Sequence, residues 1–287
     1  MGLAIIHSRA SVGVEAPNVT VEVHISNGMP GFTLVGLPET TVKESRDRVR
    51  SAIINSRFEF PAKRITVNLA PADLPKEGGR FDLPIALGIL AASEQIPMTE
   101  LNNKEFLGEL ALSGELRSVK GVLPAALAAN RAERCLVVPQ QNGDQAALVG
   151  KHIHKSAQSL LEVCADLCGQ QSLSLHQTNN SVQHVSSGRD LQDIIGQQQG
   201  KRALEIAAAG NHNLLFLGPP GTGKTMLASR LCDLLPEMSD EEAMETASVA
   251  SLTQSEINEH NWKSRPFRSP HHSSSMAALV GGGSVPR

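Results

Sequence analysis

Eight consecutive residues follow the pattern of a phosphate-binding loop, G-x-x-x-x-G-K-[ST]. They are Gly218, Pro219, Pro220, Gly221, Thr222, Gly223, Lys224 and Thr225. Glycines let the backbone wrap closely around an anion, so that successive backbone N–H groups point at it. In this pattern Lys224 reaches the β- and γ-phosphates, and the hydroxyl of Thr225 binds Mg²⁺. The residues therefore predict a site for a nucleotide phosphate chain, with ATP and Mg²⁺ as its cofactors.

The segments on either side of this loop predict how it is positioned. Residues 213–217 read NLLFL, which is typical of a buried strand, and residues 226–235 carry leucines at helical spacing. A strand followed by a loop and a helix directs the helix N-terminus at the phosphate. The alternative interpretation is a glycine-rich turn between a strand and a helix, without a ligand.

The composition is that of an ordinary globular protein. Of the 287 residues, 40% are hydrophobic and 19% are charged, and the formal net charge is −3. This charge gives no global sign of nucleic-acid binding, so such a surface must be a local patch. The longest apolar stretch, residues 83–92, is too short to cross a bilayer, and the N-terminus lacks the pattern of a secretory signal. We expect a cytoplasmic protein without a membrane partner.

A change of composition divides the chain. Residues 171–188 are rich in Gln, Ser, Asn and His and lack apolar periodicity, which predicts a linker between domains at 1–170 and 189–287. In the first domain, strand and helix patterns alternate, which favours an α/β or α+β fold. Strands are predicted at residues 20–25, 32–35, 64–70, 106–112 and 135–138, and helices at residues 38–54, 83–94, 122–131 and 157–167.

The second domain opens with a predicted helix at residues 199–209, which Gly210 ends. A further helix is predicted after Ser239, because Glu242 three residues later completes a capping box. Basic side chains occur in both domains. Arg46, Arg48 and Arg50 lie among acidic residues on the first predicted helix, where a solvated helix face and a nucleic-acid surface are the two interpretations.

Five long stretches resemble the ComM/YifB-type, magnesium-chelatase-like AAA+ ATPases. They are residues 36–53, 68–88, 108–117, 193–230 and 265–283. The resemblance implies a Lon-protease-like N-terminal domain of the ribosomal-S5-domain-2 type, followed by a P-loop α/β module of the AAA+ type. It also places Ile195 and Gly196 at the nucleotide, and Arg265 and Arg268 where their charge is directed at phosphate.

Two departures from the related patterns bear on catalysis. Asp82 and Leu123 stand about where a Lon protease has its nucleophilic Ser and its Lys base. Without a hydroxyl nucleophile and an amine base there is no acylation chemistry, so we expect no peptidase activity. The nearby Lys76 and Lys120 are interpreted as solvated side chains.

The second departure concerns ATP hydrolysis. No apolar strand ending in acidic residues follows the loop between residues 226 and 287, and the acidic run at 237–245 falls in a predicted helix. A Walker B carboxylate and an arginine finger are therefore not identified in this sequence, and the AAA+ module is interpreted as incomplete. We expect a chain that binds ATP but hydrolyses it negligibly, with no catalytic residue of its own.

The resemblance leaves three functions open. The first is a DNA-directed ring ATPase that migrates DNA branches in natural transformation, assembled as a hexamer on branched or single-stranded DNA. Its nucleic-acid contacts would come from Arg46, Arg50, Arg265 and Arg268. The second is a chelatase subunit that drives metal insertion into a tetrapyrrole. The third is a nucleotide-binding interaction module without catalysis.

Overall fold

The computed structural model describes residues 2–36, 44–149, 154–175, 190–252 and 263–281. The chain forms two compact units. The first unit is Met1–Asn180 with Ala247–Asn258, and the second unit is Ser181–Thr246 with Glu259–Arg287. Most of the predicted linker at 171–188 lies outside the described residues, as does the predicted helix start at 38–41. The domain boundaries inferred from the sequence therefore stay a prediction.

A mixed sheet organises the first unit. Its strands are β1 Gly2–Arg9, β2 Asn18–Ser26, β3 Gly31–Val35, β4 Arg64–Ala70, β5 Lys104–Phe106, β6 Glu109–Leu110, β7 Leu116–Arg117, β8 Cys135–Pro139, β9 Lys155–Ala157 and β10 Ser174–Leu175. Eight of them form one sheet in the order β10-β9-β8-β5-β1-β2-β4-β3, and β6 pairs with β7 separately. β2 runs antiparallel to β1 and β4, whereas β1, β5, β8 and β9 are parallel to one another. The unit has a mixed α/β fold.

One helix packs on the face of this sheet to which the apolar residues of β2 point. The helices of the first unit are α1 Ser45–Asn55, α2 Asp82–Ala92, α3 Val122–Arg131, α4 Gly143–Ala147 and α5 Leu160–Leu167. Every residue of α2 is buried. Gly88 allows its close approach, because a Cβ there would lie 2.5 Å from Cγ2 of Val23 on β2. Alternation along β2, with Val21 and Val23 fully buried, therefore matches a strand with one face in the core.

A buried ionic network lies on the opposite face of the sheet. Glu105 on β5 is fully buried and accepts hydrogen bonds from Arg9 on β1 at 2.6 and 2.7 Å. Arg134 lies 3.4 Å from the same carboxylate. Arg9 also donates to the carbonyl of Ala128, 3.2 Å away in α3. The network therefore ties β1, β5 and α3 together through groups that would be costly to leave unpaired.

The second unit is helical in the part that the structure describes. Its helices are α6 Gln198–Gly210, α7 Lys224–Ala228, α8 Leu231–Leu234, α9 Asp240–Leu252, which continues into the first unit, and α10 Met276–Val280. Ile194, Leu204 and Leu227 form a small buried core, against which partly buried residues such as Phe216 pack. None of the described helices of the chain is both long and apolar enough to cross a membrane.

Two predictions for the second unit are wrong. Residues 213–217 form no strand, and Leu215 and Leu217 are 78% and 86% exposed. A strand needs a hydrogen-bonding neighbour, and the described residues of this unit supply no other strand. The predicted helix at 226–235 is interrupted between α7 and α8. Ser229 there donates its hydroxyl hydrogen to the carbonyl of Met226 at 2.9 Å, a local bond that competes with the helix pattern.

In the first unit most predicted elements are confirmed, with differences of three kinds. Four strands and one helix were not predicted: β1, β7, β9, β10 and α4. The strand predicted at 106–112 divides into β5 and β6, because the N–H of Gly108 bonds to the carbonyl of Arg80 instead of continuing a ladder. The helix predicted at 157–167 begins at Leu160, where Ser159 accepts the N–H of Glu162 as N-cap.

Candidate functional site

Backbone conformation shapes the predicted phosphate-binding loop. Gly221 and Gly223 have φ values of +78° and +82°, in the left-handed region that residues with a Cβ rarely adopt. α7 begins directly after them, with Gly223 as its N-cap and Lys224 as its first residue. Of the two fixed glycines of the pattern, Gly223 is therefore one that the turn requires, and Gly221, at a variable position, is a second.

The side chain of Lys224 lies against its own loop. Its Nζ donates to the carbonyl oxygens of Gly218 at 2.9 Å and Pro219 at 2.7 Å, and it lies 3.4 Å from Oγ1 of Thr222. Thr222 in turn donates its hydroxyl hydrogen to the carbonyl of Pro219 at 3.0 Å. The ammonium is thus held by neutral oxygens. Phosphate oxygens are stronger acceptors for the same group, because both partners are then charged. The loop fits a nucleotide phosphate chain, and the exposed hydroxyl of Thr225 fits its Mg²⁺.

The segment before α6 reaches the same loop. The side chain of Ile195 is 96% exposed, and Gly196 has a φ of +74°. Gln197 follows with a left-handed φ of +55°, and its Nε2 donates to the carbonyl of Thr222 at 3.0 Å. The structure therefore connects Gln197 to the loop, whereas Ile195 and Gly196 are its neighbours in the chain. Ile195 and Gly196 were predicted from the sequence, whereas Gln197 was not, although its position before a predicted helix start was an available signal.

A shared core supports the two segments. Leu227 of α7 is buried, and its Cδ1 lies 2.9 Å from where a Cβ of Gly200 in α6 would be. Arg230 lies 3.6 Å from the carboxylate of Asp193, which precedes α6. These contacts set α6 against α7 at the point where the loop ends.

The two arginines near residue 270 differ in what they contact. Nε of Arg265 donates to the carbonyl of Pro236 at 2.8 Å, and its Nη2 lies 3.4 Å from Glu242. Arg268 is exposed.

His271 and His272 stack with ring centroids 4.0 Å apart, and among the described residues no group of three or more His, Cys, Asp or Glu is arranged to hold a metal ion.

The arginines predicted on the first helix lie on α1 in the first unit. Arg46 pairs with Asp47 at 3.0 Å, and both side chains are exposed. The guanidinium of Arg50 lies 5.6 Å from the ring centroid of Phe60. An arginine stacked on an aromatic ring keeps its charge and a planar face available to a polyanion.

The acidic run lies at a helix start, as predicted. Ser239 and Glu242 form the capping box: the N–H of Glu242 donates to Ser239 Oγ at 3.2 Å, and the N–H of Ser239 donates to Glu242 Oε2 at 3.0 Å. α9 follows from Asp240. The carboxylate of Glu242 is thus engaged by the cap and by Arg265.

Asp82 and Leu123, at the positions compared with a protease pair, are both buried. Asp82 accepts from Arg48 at 2.7 and 3.2 Å, and from the N–H of Leu110 at 3.2 Å. Burial raises the pKa of Asp82 to about 6, against the opposing effect of Arg48. A carboxylate held by a guanidinium is not a nucleophile of the Ser type, which agrees with the expected lack of peptidase chemistry.

The interpretation of Lys76 as solvated is wrong. Its side chain is fully buried, and Nζ donates to the carbonyl of Gly36 at 2.9 Å and to the carbonyl of Pro71. Burial lowers the pKa of this amine. The two carbonyls replace water around the ammonium, so the lysine serves to hold the chain before α2. Lys120 is exposed, as expected.

Comparisons with known proteins cover the whole chain. Family models described as subunit ChlI of Mg-chelatase match residues 21–142 and 190–287. The competence protein ComM of Haemophilus influenzae is 65% identical over 291 residues, which are 100% of this chain and 57% of that protein. The YifB protein of Escherichia coli is 57% identical over 286 residues, which are 100% of this chain and 56% of that protein.

A shorter similarity concerns proteases. An archaeal Lon protease of Methanothermobacter thermautotrophicus is 42% identical over 48 residues, which are 17% of this chain and 8% of that protein. The chain therefore spans little more than half the length of ComM and YifB, and only a small part of it is similar to Lon.

Proposed function

Because the chain belongs to the magnesium chelatase ChlI-like family, in the group of ComM and YifB, we propose that it is the ATP-binding part of an AAA+ ring ATPase. One observation carries this proposal: the loop at 218–225 combines two left-handed glycines with an ammonium that is held by neutral oxygens of the same loop. Such a loop presents backbone N–H groups and a positive charge to a phosphate chain.

Different residues of the loop would make different contacts with the nucleotide and its Mg²⁺. The ammonium of Lys224, which now donates to the carbonyls of Gly218 and Pro219, would bind phosphate oxygens in their place. Left-handed glycines keep side chains out of the space that the phosphates need. Mg²⁺ neutralises charge on the phosphates, and the hydroxyl of Thr225 is the group of this chain that would hold it.

For the whole protein we propose a DNA-directed motor that acts in the cytoplasm during natural transformation. Support comes from the 65% identity to a protein named for competence and from the short similarity to Lon, which chelatase ATPase subunits generally lack. Exposed arginines of each unit are candidates for contact with branched or single-stranded DNA: Arg268 in the second unit, and Arg46 and Arg50 in the first. Arg265 is the weaker candidate, since Pro236 and Glu242 already engage it. Assembly into a hexameric ring would multiply these weak contacts.

A chelatase-type ATPase subunit is the second candidate, because both matching family models carry that description. ATP hydrolysis by the full-length protein would discriminate between the two. Stimulation by branched DNA supports the motor, whereas stimulation by a tetrapyrrole and its metal supports the chelatase.

Titration with a fluorescent ATP analogue tests the nucleotide site itself. Lys224→Ala removes charge-assisted contacts worth about 1.5–3 kcal/mol, so affinity should fall about ten- to a hundredfold. Lys120→Ala, which changes an exposed lysine of the first unit, is the matched control and should bind like the wild type. Equal affinity in Lys224→Ala and the wild type would contradict the assignment.

A further inference from the structure

Gln197 has an unusual backbone conformation directly before α6. Its φ of +55° and ψ of +35° place a residue with a long side chain in the left-handed region, where glycine is normally preferred. The same residue donates Nε2 to the carbonyl of Thr222 at 3.0 Å, 25 residues along the chain. The contact and the conformation occur together at the beginning of α6.

The bonded carbonyl lies in the most constrained part of the loop. Thr222 stands between the left-handed Gly221 and Gly223, and its carbonyl belongs to the peptide that carries the N–H of Gly223. The C=O and N–H of a trans peptide point in opposite directions. A carbonyl held toward Gln197 therefore turns the N–H of Gly223 to the other side of the peptide.

The start of α6, from which Gln197 makes this contact, is packed against the helix that follows the loop. Gly200, one turn further on, lies against Leu227 of α7, the helix that follows the loop. Oε1 of Gln197 is 3.8 Å from where a Cβ of Gly200 would be, so the amide lies over this junction. Gln197 is thus attached to the same core that supports the loop.

We propose that Gln197 is a positioning residue for the phosphate-binding loop, which holds the Thr222–Gly223 peptide so that the N–H of Gly223 faces the phosphates. The inference rests on the proposed nucleotide site and adds a residue to it. Without this hydrogen bond the peptide turns more freely, and part of the binding energy is spent in ordering it.

Two substitutions of Gln197 separate positioning from stability. Gln197→Asn keeps an amide and tolerates a left-handed backbone, but its shorter side chain does not reach Thr222. Gln197→Gly removes the amide and relieves the backbone, so its melting temperature should stay level or rise. Both variants should bind ADP about two- to tenfold more weakly, which corresponds to the loss of one hydrogen bond.

The measurement is displacement of a fluorescent ATP analogue from the full 287-residue chain by ADP and by adenosine, with melting temperatures in parallel. Gln199→Ala, an exposed glutamine of α6, is the matched control. We expect weaker ADP binding, unchanged adenosine binding and no loss of melting temperature in Gln197→Gly. Unchanged ADP affinity, an equal loss for adenosine, or a fall in melting temperature that accompanies the loss in both variants would overturn the proposal. A wild-type chain that binds no nucleotide would overturn the proposed function as well.

Discussion

The ion pair between Arg48 and Asp82 predicts a pH-dependent loss of stability when the arginine is removed. Arg48→Met keeps most of the side-chain stem but leaves the carboxylate of Asp82, which is fully buried, without its guanidinium. Burial already raises the pKa of Asp82 from 3.8 to about 6. In the wild type, ionisation of Asp82 therefore lowers the free energy of unfolding as the pH rises through that interval. Without Arg48 its pKa rises further, and the loss continues at higher pH.

The magnitude follows from proton linkage. At pH 5 the wild-type carboxyl is mostly protonated, so the variant loses only hydrogen bonds and packing, about 0.5–1.5 kcal/mol. Above pH 6 the difference grows by up to about 1.36 kcal/mol for each pH unit, because the variant retains a proton that the wild type releases. At pH 8 the cost should therefore reach about 3–4 kcal/mol, near the range for breaking a buried pair.

Urea unfolding followed by circular dichroism at pH 5, 6, 7 and 8 measures this difference. Hydrogen exchange of peptides from α1 and α2 reports in parallel on the unit that contains the pair. Arg46→Met is the control on the same helix, since the ion pair of Arg46 with Asp47 is exposed and its loss should change little at any pH. A cost for Arg48→Met that is equal at pH 5 and pH 8 would refute the reasoning.

Three further predictions concern the first unit. Glu105→Gln should cost about 3–5 kcal/mol in urea unfolding, because it leaves two guanidinium groups beside a neutral amide, whereas Glu100→Gln, which changes an exposed carboxylate, should cost less than about 0.5 kcal/mol. Lys76→Met should lower the free energy of unfolding by about 1–3 kcal/mol, since the carbonyls of Gly36 and Pro71 lose their donor, whereas Lys120→Met should have no measurable effect. The chain should not cleave unfolded casein, and cleavage that mutations within residues 74–88 abolish would contradict the interpretation of the Asp82 region.

Local patterns in the sequence predicted the glycine-rich turn at 218–225 and several elements. Gly221 and Gly223 of the loop have a left-handed φ, and the capping box at Ser239 forms as predicted. Alternation predicted β2 and β4, and apolar content predicted α2. Each of these features depends on residues within one turn or one strand. The family resemblance, which the comparisons confirm, depended on longer stretches of the same kind.

Contacts between distant residues decided the rest. Arg48 and Asp82 are 34 positions apart, Arg9 and Glu105 are 96 apart, and Gln197 and Thr222 are 25 apart. A periodic pattern in the sequence does not predict which polar side chain will pair with which distant carbonyl or carboxylate. For this reason the burial of Lys76 was predicted wrongly and the contact of Gln197 was not predicted. The strand predicted at 213–217 failed for the same reason. Apolar residues favour burial, but a strand exists only where a neighbour supplies hydrogen bonds to its backbone, and tertiary structure alone determines that neighbour.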